Sequence, residues 1–119
     1  MSHIVVCGGR TFADRDLLFS VLDEEFRFNT FGMVMEGGAK GADALARAWA
    51  MERKVQYCTV PAMWEQFGRL AGPMRNQQMA WTRPLAVICF PGGRGTANMQ
   101  ETAMRHHIRV RVVPPAEAP

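Results

Sequence analysis

Three glycine-rich segments of this chain carry cations and hydroxyl groups of the kinds that bind phosphate. Each segment follows an apolar run and precedes a stretch with helical spacing. A glycine turn between a strand and a helix directs backbone N–H groups and the positive end of the helix at an anion. Glycine suits the turn because a Cβ would block the close approach of a phosphate. The three segments are Gly8-Gly9-Arg10-Thr11, Gly37-Gly38-Ala39-Lys40-Gly41-Ala42-Asp43 and Pro91-Gly92-Gly93-Arg94-Gly95-Thr96.

The side chains of these turns are the first candidate ligand contacts. The third turn is the best phosphate cradle, because Thr96 adds a hydroxyl donor to the backbone N–H groups. Arg10 and Thr11 are expected ligand contacts at the first turn. Lys40 and Asp43 open the helix after the second turn, where Asp43 either binds ribose hydroxyls or caps the helix. Both roles of Asp43 stay open from sequence.

A fourth polar segment follows an expected turn at Gly72-Pro73. Arg75 and Asn76 interrupt an otherwise apolar region there. An arginine in a loop near a sheet edge suits bidentate contact with phosphate or carboxylate. We therefore expect both residues to contact the ligand. Arg94, in the third turn, either contacts phosphate or points to solvent.

Apolar runs that alternate with helical stretches predict the elements that position these turns. We predict strands at 3–8, 33–36, 55–60, 85–90 and 108–113, and helices at 14–28, 41–53, about 76–81 and 97–107. Continuously apolar strands indicate a parallel sheet covered by helices on both faces. Right-handed crossovers then give an α/β, Rossmann-like doubly wound sheet of about five strands in the order 3-2-1-4-5. The first and third turns meet at its switch point.

The composition is that of one folded domain. The chain has 119 residues, of which 48% are hydrophobic, with no linker or repeat. We predict a single domain at 1–113 and a flexible tail at 114–119. No apolar run approaches the ~20 residues of a membrane span, and no leader pattern is present, which predicts a cytoplasmic protein without a membrane partner.

Cysteine usage and charge exclude further classes of site. Cys7, Cys58 and Cys89 are odd in number and lack CxxC spacing, so we expect reduced, buried thiols rather than a disulfide or a metal site. We expect neither a metal nor a cofactor. The net charge of +3 is modest, and the basic stretch 105–111 is typical of a solvated helix end and an edge strand. Nucleic acid is therefore a disfavoured partner.

Four segments in a fixed order carry a family resemblance: the three glycine turns and Ala71-Gly72-Pro73-Met74-Arg75-Asn76. Together they resemble the YpsA-related branch of the SLOG superfamily, named for the DNA-processing protein Smf/DprA and for LOG, the cytokinin-activating phosphoribohydrolase. The resemblance covers residues 3–113. It implies a Rossmann-like domain that binds a nucleotide or an ADP-ribose-like ligand, and it implies homo-oligomers.

The resemblance to LOG enzymes breaks at one position. Those enzymes hydrolyse the N-glycosidic bond of a nucleoside 5′-monophosphate with a PGGxGTxxE motif and an upstream arginine, which Arg75 matches. Met99 stands where that motif has its glutamate. Because this cleavage needs a carboxylate near the sugar, Met99 favours binding without hydrolysis, and we expect Met99→Glu to raise any trace activity. Glu36 and Asp43 are the alternative catalytic carboxylates, with Arg75 as a third catalytic candidate.

Three functions remain open at this point. The first is a module that senses or sequesters a nucleotide-derived small molecule, and the second is a LOG-like N-glycosidase. The third is a DNA-associated protein like Smf/DprA, which the dispersed charge disfavours. The helical segments carry more large apolar side chains than are needed to cover one face of the sheet. This excess predicts a homo-oligomer, a dimer or higher. The side chains are Trp64, Phe67, Leu70, Met79 and Trp81.

Overall fold

A five-stranded parallel sheet forms the centre of the structure, a computed structural model that describes residues 2–116. The sheet order is β3-β2-β1-β4-β5, and all neighbouring strands run parallel. This confirms the predicted Rossmann-like sheet and its strand order. The strands are β1 (His3–Cys7), β2 (Met33–Glu36), β3 (Gln56–Thr59), β4 (Ala86–Cys89) and β5 (Arg109–Val112).

Within the described part of the chain, five α helices accompany these strands. Asp14 caps α1 as its sequence position predicts, because its Oδ1 accepts the N–H of Leu17 at 3.1 Å. The last helix begins at Arg94, inside the third glycine turn, and so earlier than predicted. The helices are α1 (Arg15–Asn29), α2 (Ala42–Arg53), α3 (Trp64–Phe67), α4 (Ala71–Trp81) and α5 (Arg94–Arg105), with a 3-10 turn at Gly68–Leu70.

Apolar cores lie on both faces of the sheet, as continuously apolar strands require. Alternate residues of β1 point to opposite faces. Ile4 and Val6 join the core under α1 and α2, which is built around Trp49. Val5 and Cys7 join the core under α4 and α5, which includes the fully buried Met99. The helices on both faces therefore have separate cores that share the central strands.

The segment before β4 is more helical than predicted. A turn was expected at Gly72-Pro73, but both residues lie in the first turn of α4. Proline is tolerated there because the first N–H groups of a helix have no partner within it. Gly72 lies against the ring of Trp64, where an added Cβ would come within 3.1 Å of it. The helix predicted at about 76–81 therefore begins earlier, and the predicted loop position of Arg75 is wrong, because Arg75 lies within α4.

The burial of β3 was also overestimated. This strand is at the edge of the sheet, and its residues are exposed except for the half-buried Cys58. Cys7 and Cys89 are buried as predicted, and their Sγ atoms lie 3.3 Å apart on neighbouring strands. Within residues 2–116, no helix combines the length and apolar character needed to cross a membrane.

The arginines at the β5 end of the predicted basic stretch are paired with a carboxylate. Arg109 and Arg111 both donate hydrogen bonds to the buried Glu25, which ties β5 to α1. Burial opposes the charge of Glu25, but these two guanidinium groups outweigh it and lower the pKa of the carboxyl. Residues 114–116 of the predicted tail form neither helix nor strand, and 117–119 lie outside the described residues.

Candidate phosphate-binding site

The three glycine turns meet at the carboxyl edge of the sheet. β1 lies between β2 and β4, so the segments that follow these strands are neighbours. The N–H of Gly9 donates to the carbonyl of Pro91 at 2.8 Å, and the N–H of Ala42 donates to the carbonyl of Gly9 at 3.2 Å. The first turn is therefore in direct backbone contact with both of the others.

The glycines of these turns serve two different purposes. Gly41 has a φ of +73°, and a Cβ there would overlap the carbonyl oxygen of Gly9. A Cβ at Gly9 would lie 3.1 Å from the Cα of Gly92. These three glycines allow the turns to pack together. Gly93 and Gly95 differ, because a Cβ at either would meet nothing within 4 Å, and their backbone is open to an approaching ligand.

A cavity of about 820 Å3 lies beside these turns, and we call it the arginine-lined cavity. Gly8 and Gly9 of the first turn line this cavity, and so do Gly93, Gly95 and Thr96 of the third turn. No side chain in residues 2–116 caps the start of α5. The first N–H groups of this helix, together with its dipole, therefore favour an anion in the cavity. Four arginines line it: Arg10, Arg69, Arg75 and Arg94.

Arg75 is held in a fixed position within this cavity. Its Nη1 donates to the carbonyl oxygen of Gly37 at 3.0 Å, and its Nε donates to Oδ1 of Asn76 at 3.0 Å. No acceptor within residues 2–116 bonds its Nη2. Burial lowers the pKa of Arg75, while the charge of Asp43 opposes that change. An arginine stays protonated in proteins, so Arg75 supplies a positioned cation with free donors.

Asn76 connects α4 to α5 across the cavity. Its Nδ2 donates to the carbonyl oxygen of Gly95 at 3.2 Å and to Oδ1 of Asn98 at 2.9 Å. The side chain of Asn76 is buried, so it fixes the third turn. Arg75 and Asn76 both line the cavity. Arg75 presents a cation to it, and the side-chain amide of Asn76 holds the backbone of the third turn.

Asp43 does not cap α2, which begins after Gly41 with no side-chain cap among residues 2–116; it holds the second turn and lines the cavity. Its Oδ2 accepts the N–H of Ala39 at 3.2 Å, which holds the second turn, and its side chain also lines the cavity. Only 6% of the residue is exposed, and this burial raises the pKa of its carboxyl, helped by the charge of Glu36. Asp43 is the carboxylate of the cavity.

Glu36 lies outside the arginine-lined cavity. It is fully buried, and its carboxylate accepts the N–H of Gly38 at 2.7 Å and the hydroxyl of Thr59. Arg47 approaches the same carboxylate at 3.5 Å. The carboxylate of Glu36 therefore holds the second turn, which is a structural role rather than the predicted catalytic one.

Several other sequence-predicted residues also lie elsewhere. Lys40 is exposed and does not line the cavity, and neither do Gly38 and Gly41. Thr11 lines a second cavity, on the α1 side of the turns. Pro91 and Gly92 line that second cavity as well. The arginine-lined cavity therefore uses the first and third turns more than the second.

Arg69 and Asn98 line the cavity without having been predicted. Arg69 lies in the 3-10 turn before α4, where no motif marks it. Asn98 follows Arg94 by four residues on α5, and this helical spacing is a signal that the sequence did contain. Met99, one residue further, is fully buried in the core under α4 and α5 and does not line the cavity.

Comparison with known proteins assigns the family. The profile of the YspA, cpYpsA-related SLOG family (YAcAr) matches residues 2–67, which include the first two glycine turns. The chain belongs to this family. The SLOG chain is also 31% identical over 118 residues to the Gene 61 protein of Mycobacterium phage D29, a match that covers 92% of this chain and 94% of the phage protein.

The fold of this SLOG chain is shared with a larger protein. It resembles the DNA processing protein A (DprA) of Streptococcus pneumoniae with a TM-score of 0.79 and 18% sequence identity. The match covers 98% of the SLOG chain and 51% of the DprA chain, so this chain spans about half the length of DprA. At this identity the likeness is one of fold.

Proposed function

We propose that this SLOG protein binds a nucleotide-derived phosphate ligand in the arginine-lined cavity and senses or sequesters it without cleaving it. The observation that carries the proposal is the cavity's charge: among residues 2–116, four arginines and the start of α5 surround it, against the one carboxylate of Asp43. Such a cavity favours an anion with more than one negative charge. Phosphate esters of nucleosides fit this requirement.

The lining divides into a phosphate part and a sugar part. Phosphate oxygens accept from the backbone of Gly93–Thr96 and from the free Nη2 of Arg75. Asp43 and Asn98 supply acceptor and donor groups for sugar hydroxyls. The half-exposed Trp64 closes the other side of the cavity, and its amphipathic ring suits a ligand with apolar and polar parts.

Binding without cleavage is favoured by the position of Met99. It is packed in the core, where it offers neither charge nor a useful acceptor to a sugar. The second candidate function, a nucleotide N-glycosidase, rests on Asp43. A carboxylate with a raised pKa, beside a buried arginine in a cavity, has the composition of an acid–base site.

We also propose that the protein forms homodimers through the surface of α3, the 3-10 turn and the start of α4. Met63, Trp64, Phe67 and Leu70 are large exposed apolar side chains on this surface. Glu65 and Arg69 lie among them with opposite charges. A twofold interface must be self-complementary, and one that packs these apolar side chains of the two copies together lies beside the cavity, which Trp64 also lines.

The binding proposal is tested by thermal denaturation with a panel of adenine and guanine nucleotides. At least one should raise the melting temperature, because a ligand that binds the native state stabilises it. Arg75→Ala should remove most of the shift, whereas Arg27→Ala, at an exposed position on α1, should leave it intact. A panel that gives no shift, or a full shift in Arg75→Ala, contradicts the proposal.

The same experiment separates the alternatives. DprA is by its name a DNA processing protein, so a single-stranded oligonucleotide belongs in the panel. Stabilisation by the oligonucleotide alone favours the DNA-associated candidate. Release of free base from a bound nucleoside monophosphate, lost in Asp43→Asn, favours the glycosidase.

A further inference from the structure

Two thiols meet beneath the glycine turns. The Sγ atoms of Cys7 and Cys89 lie 3.3 Å apart, and the thiol of Cys7 donates a hydrogen bond to Cys89. Each cysteine is the last residue of its strand, Cys7 of β1 and Cys89 of β4, so the pair leads into the first and third glycine turns. The proposed function makes no use of these two thiols.

The backbone already holds the two residues at the spacing of a disulfide. Cys7 and Cys89 are register partners on neighbouring parallel strands, and such strands lie about 4.7–4.9 Å apart. Disulfides join Cα atoms that are about 4.4–6.8 Å apart. Both side chains belong to the core under α4 and α5, on the same face of the sheet. A bond between them therefore needs movement of the two sulfur atoms and no rearrangement of the strands.

The two sulfur atoms differ in access and in acidity. Cys7 lines the arginine-lined cavity, whereas Cys89 is enclosed in the core. The hydrogen bond from Cys7 lowers the pKa of the Cys89 thiol, against the effect of burial. The same hydrogen bond, together with burial, raises the pKa of the Cys7 thiol. When the pair loses one proton, the charge therefore lies on Cys89, and the remaining proton is shared along one hydrogen bond.

We propose that Cys7 and Cys89 are a peroxide-sensitive dithiol that closes to a reversible disulfide. The thiolate of Cys89 takes the proton of Cys7, and Sγ of Cys7 then attacks hydrogen peroxide that has entered the cavity. The O–O bond breaks, which leaves a sulfenic acid on Cys7 and releases hydroxide. This hydroxide takes the proton from Cys89 and becomes water.

The second step forms the disulfide. The thiolate of Cys89 attacks Sγ of Cys7, the S–O bond breaks, and the departing hydroxide takes a proton from solvent and becomes the second water. In sum, two thiols are oxidised to one disulfide, and one hydrogen peroxide is reduced to two waters. A dithiol reductant reverses the change by thiol–disulfide exchange.

The bond would join the first and third glycine turns covalently at their base. These turns already share the hydrogen bond from the N–H of Gly9 to the carbonyl of Pro91. The cross-link also joins residues that are 82 positions apart in the chain, and it therefore restricts the unfolded state. Oxidation should accordingly stabilise the native fold.

The test exposes the folded protein to hydrogen peroxide, then unfolds it in an alkylating reagent and counts the labelled cysteines by mass spectrometry. The reduced protein has three free thiols and should take up three labels. The oxidised protein should take up one label, at Cys58, and should give a linked pair of peptides that contain Cys7 and Cys89. Dithiothreitol should restore all three labels. The melting temperature of the oxidised form should rise by several degrees.

Three variants assign the roles of the cysteines. Cys58→Ala is the matched control and should form the disulfide as the unmodified protein does, because β2 separates β3 from β1. Cys89→Ala should form no disulfide and should stop at a sulfenic acid on Cys7, which dimedone traps. Cys7→Ala should give neither product, because the sulfur that faces the cavity is gone.

The outcomes that overturn the inference are specific. They are three labels after peroxide treatment, a disulfide that includes Cys58, a bond that lowers the melting temperature, or dimedone trapped on Cys89 rather than on Cys7. None of these outcomes involves a nucleotide, so the nucleotide panel tests the proposed function separately.

Discussion

Arg75 and Gly37 are matched to each other: Nη1 of Arg75 donates to the carbonyl oxygen of Gly37 at 3.0 Å, and the missing side chain of Gly37 makes room for the guanidinium group. An added Cβ at Gly37 would overlap Nη1 and the guanidinium carbon. The role of this glycine is therefore to seat a cation, rather than to admit phosphate directly.

Gly37→Ala is expected to weaken nucleotide binding about as much as Arg75→Ala does, by roughly tenfold or more. The reason is that the displaced guanidinium group loses its charge-assisted contacts, each worth about 1.5–3 kcal/mol. The measurement is a double-mutant cycle on the Kd. In the Arg75→Ala background, Gly37→Ala should have no further effect. Additive losses in the double mutant would mean that Gly37 acts independently of Arg75.

Release of adenine from AMP by the unmodified protein is expected to be negligible. The arginine-lined cavity lacks a residue-99 carboxylate, and the loss of one well-placed acid–base group costs on the order of 10²–10⁴ in rate. Chromatography of the reaction mixture detects the free base. Turnover at ordinary enzymatic rates would contradict the proposal of binding without cleavage. It would make Asp43 the carboxylate that assists cleavage of the N-glycosidic bond.

The burial of Met99 changes the outcome expected of Met99→Glu. The sequence alone suggested that this variant would gain trace activity, but the side chain is fully enclosed in the core under α4 and α5. A carboxylate there is buried without a partner, at a cost of about 3–5 kcal/mol. Urea denaturation should show this loss. Met99→Leu, which conserves volume, should lose less than about 1.5 kcal/mol, and a stable Met99→Glu would mean that position 99 reaches the cavity.

Disruption of the α3 surface should produce monomers. Leu70→Glu places a charge among the exposed apolar side chains of the proposed interface and should shift the protein from dimer to monomer in light scattering at tens of micromolar. Phe28→Glu is the matched control, because Phe28 is an exposed apolar residue on α1, away from that surface. A monomeric unmodified protein at that concentration would contradict the dimer.

The stability of the fold should fall with acidification, in part through Glu25. Its pKa is lowered from the ordinary value of 4.5 by Arg109 and Arg111, against the effect of burial. The stabilisation is therefore complete above pH ~4.5 and is lost as pH falls through the lower, folded-state pKa. Glu25→Gln should reduce the free energy of unfolding at pH 7 by about 1–3 kcal/mol, and the difference should shrink as the pH falls below the ordinary value of 4.5.

The control for this prediction is Glu101→Gln. Glu101 pairs with Arg105 at 3.4 Å on the exposed face of α5. An exposed pair of this kind contributes about 0.3–0.5 kcal/mol, so its loss should be small at every pH. Equal effects of the two substitutions would show that Glu25 gains nothing from its burial.

The sheet and the meeting of its turns were predictable because they follow from patterns that extend along the chain. Apolar runs and right-handed crossovers fix the strand order, and the order places the ends of β1 and β4 together. The helical state of Arg75 was not predictable from Gly72-Pro73. Those residues signal a turn, yet they are equally compatible with the first turn of a helix, where Gly72 lies against the ring of Trp64.

The side-chain partners at the site were less predictable than its backbone. Glu36 and Asp43 are both acids at the end of a strand or the start of a helix, and only the fold shows that Glu36 is occupied by Gly38 and Thr59. Arg69 has no motif, because its place at the cavity depends on how α3 and the 3-10 turn pack. Exposure of β3 likewise depends on its position at the sheet edge.

The hydrogen bonds from Gly9 to Pro91 and from Ala42 to Gly9 join segments that are far apart in the chain. No one turn can open without breaking contacts to another, so the amide protons of Gly9 and Ala42 should exchange with solvent only when much of the molecule opens. The three glycine turns are thus one cooperative unit, and a short peptide with the sequence of one turn could not form it. It forms when the sheet forms and is lost when the sheet is lost.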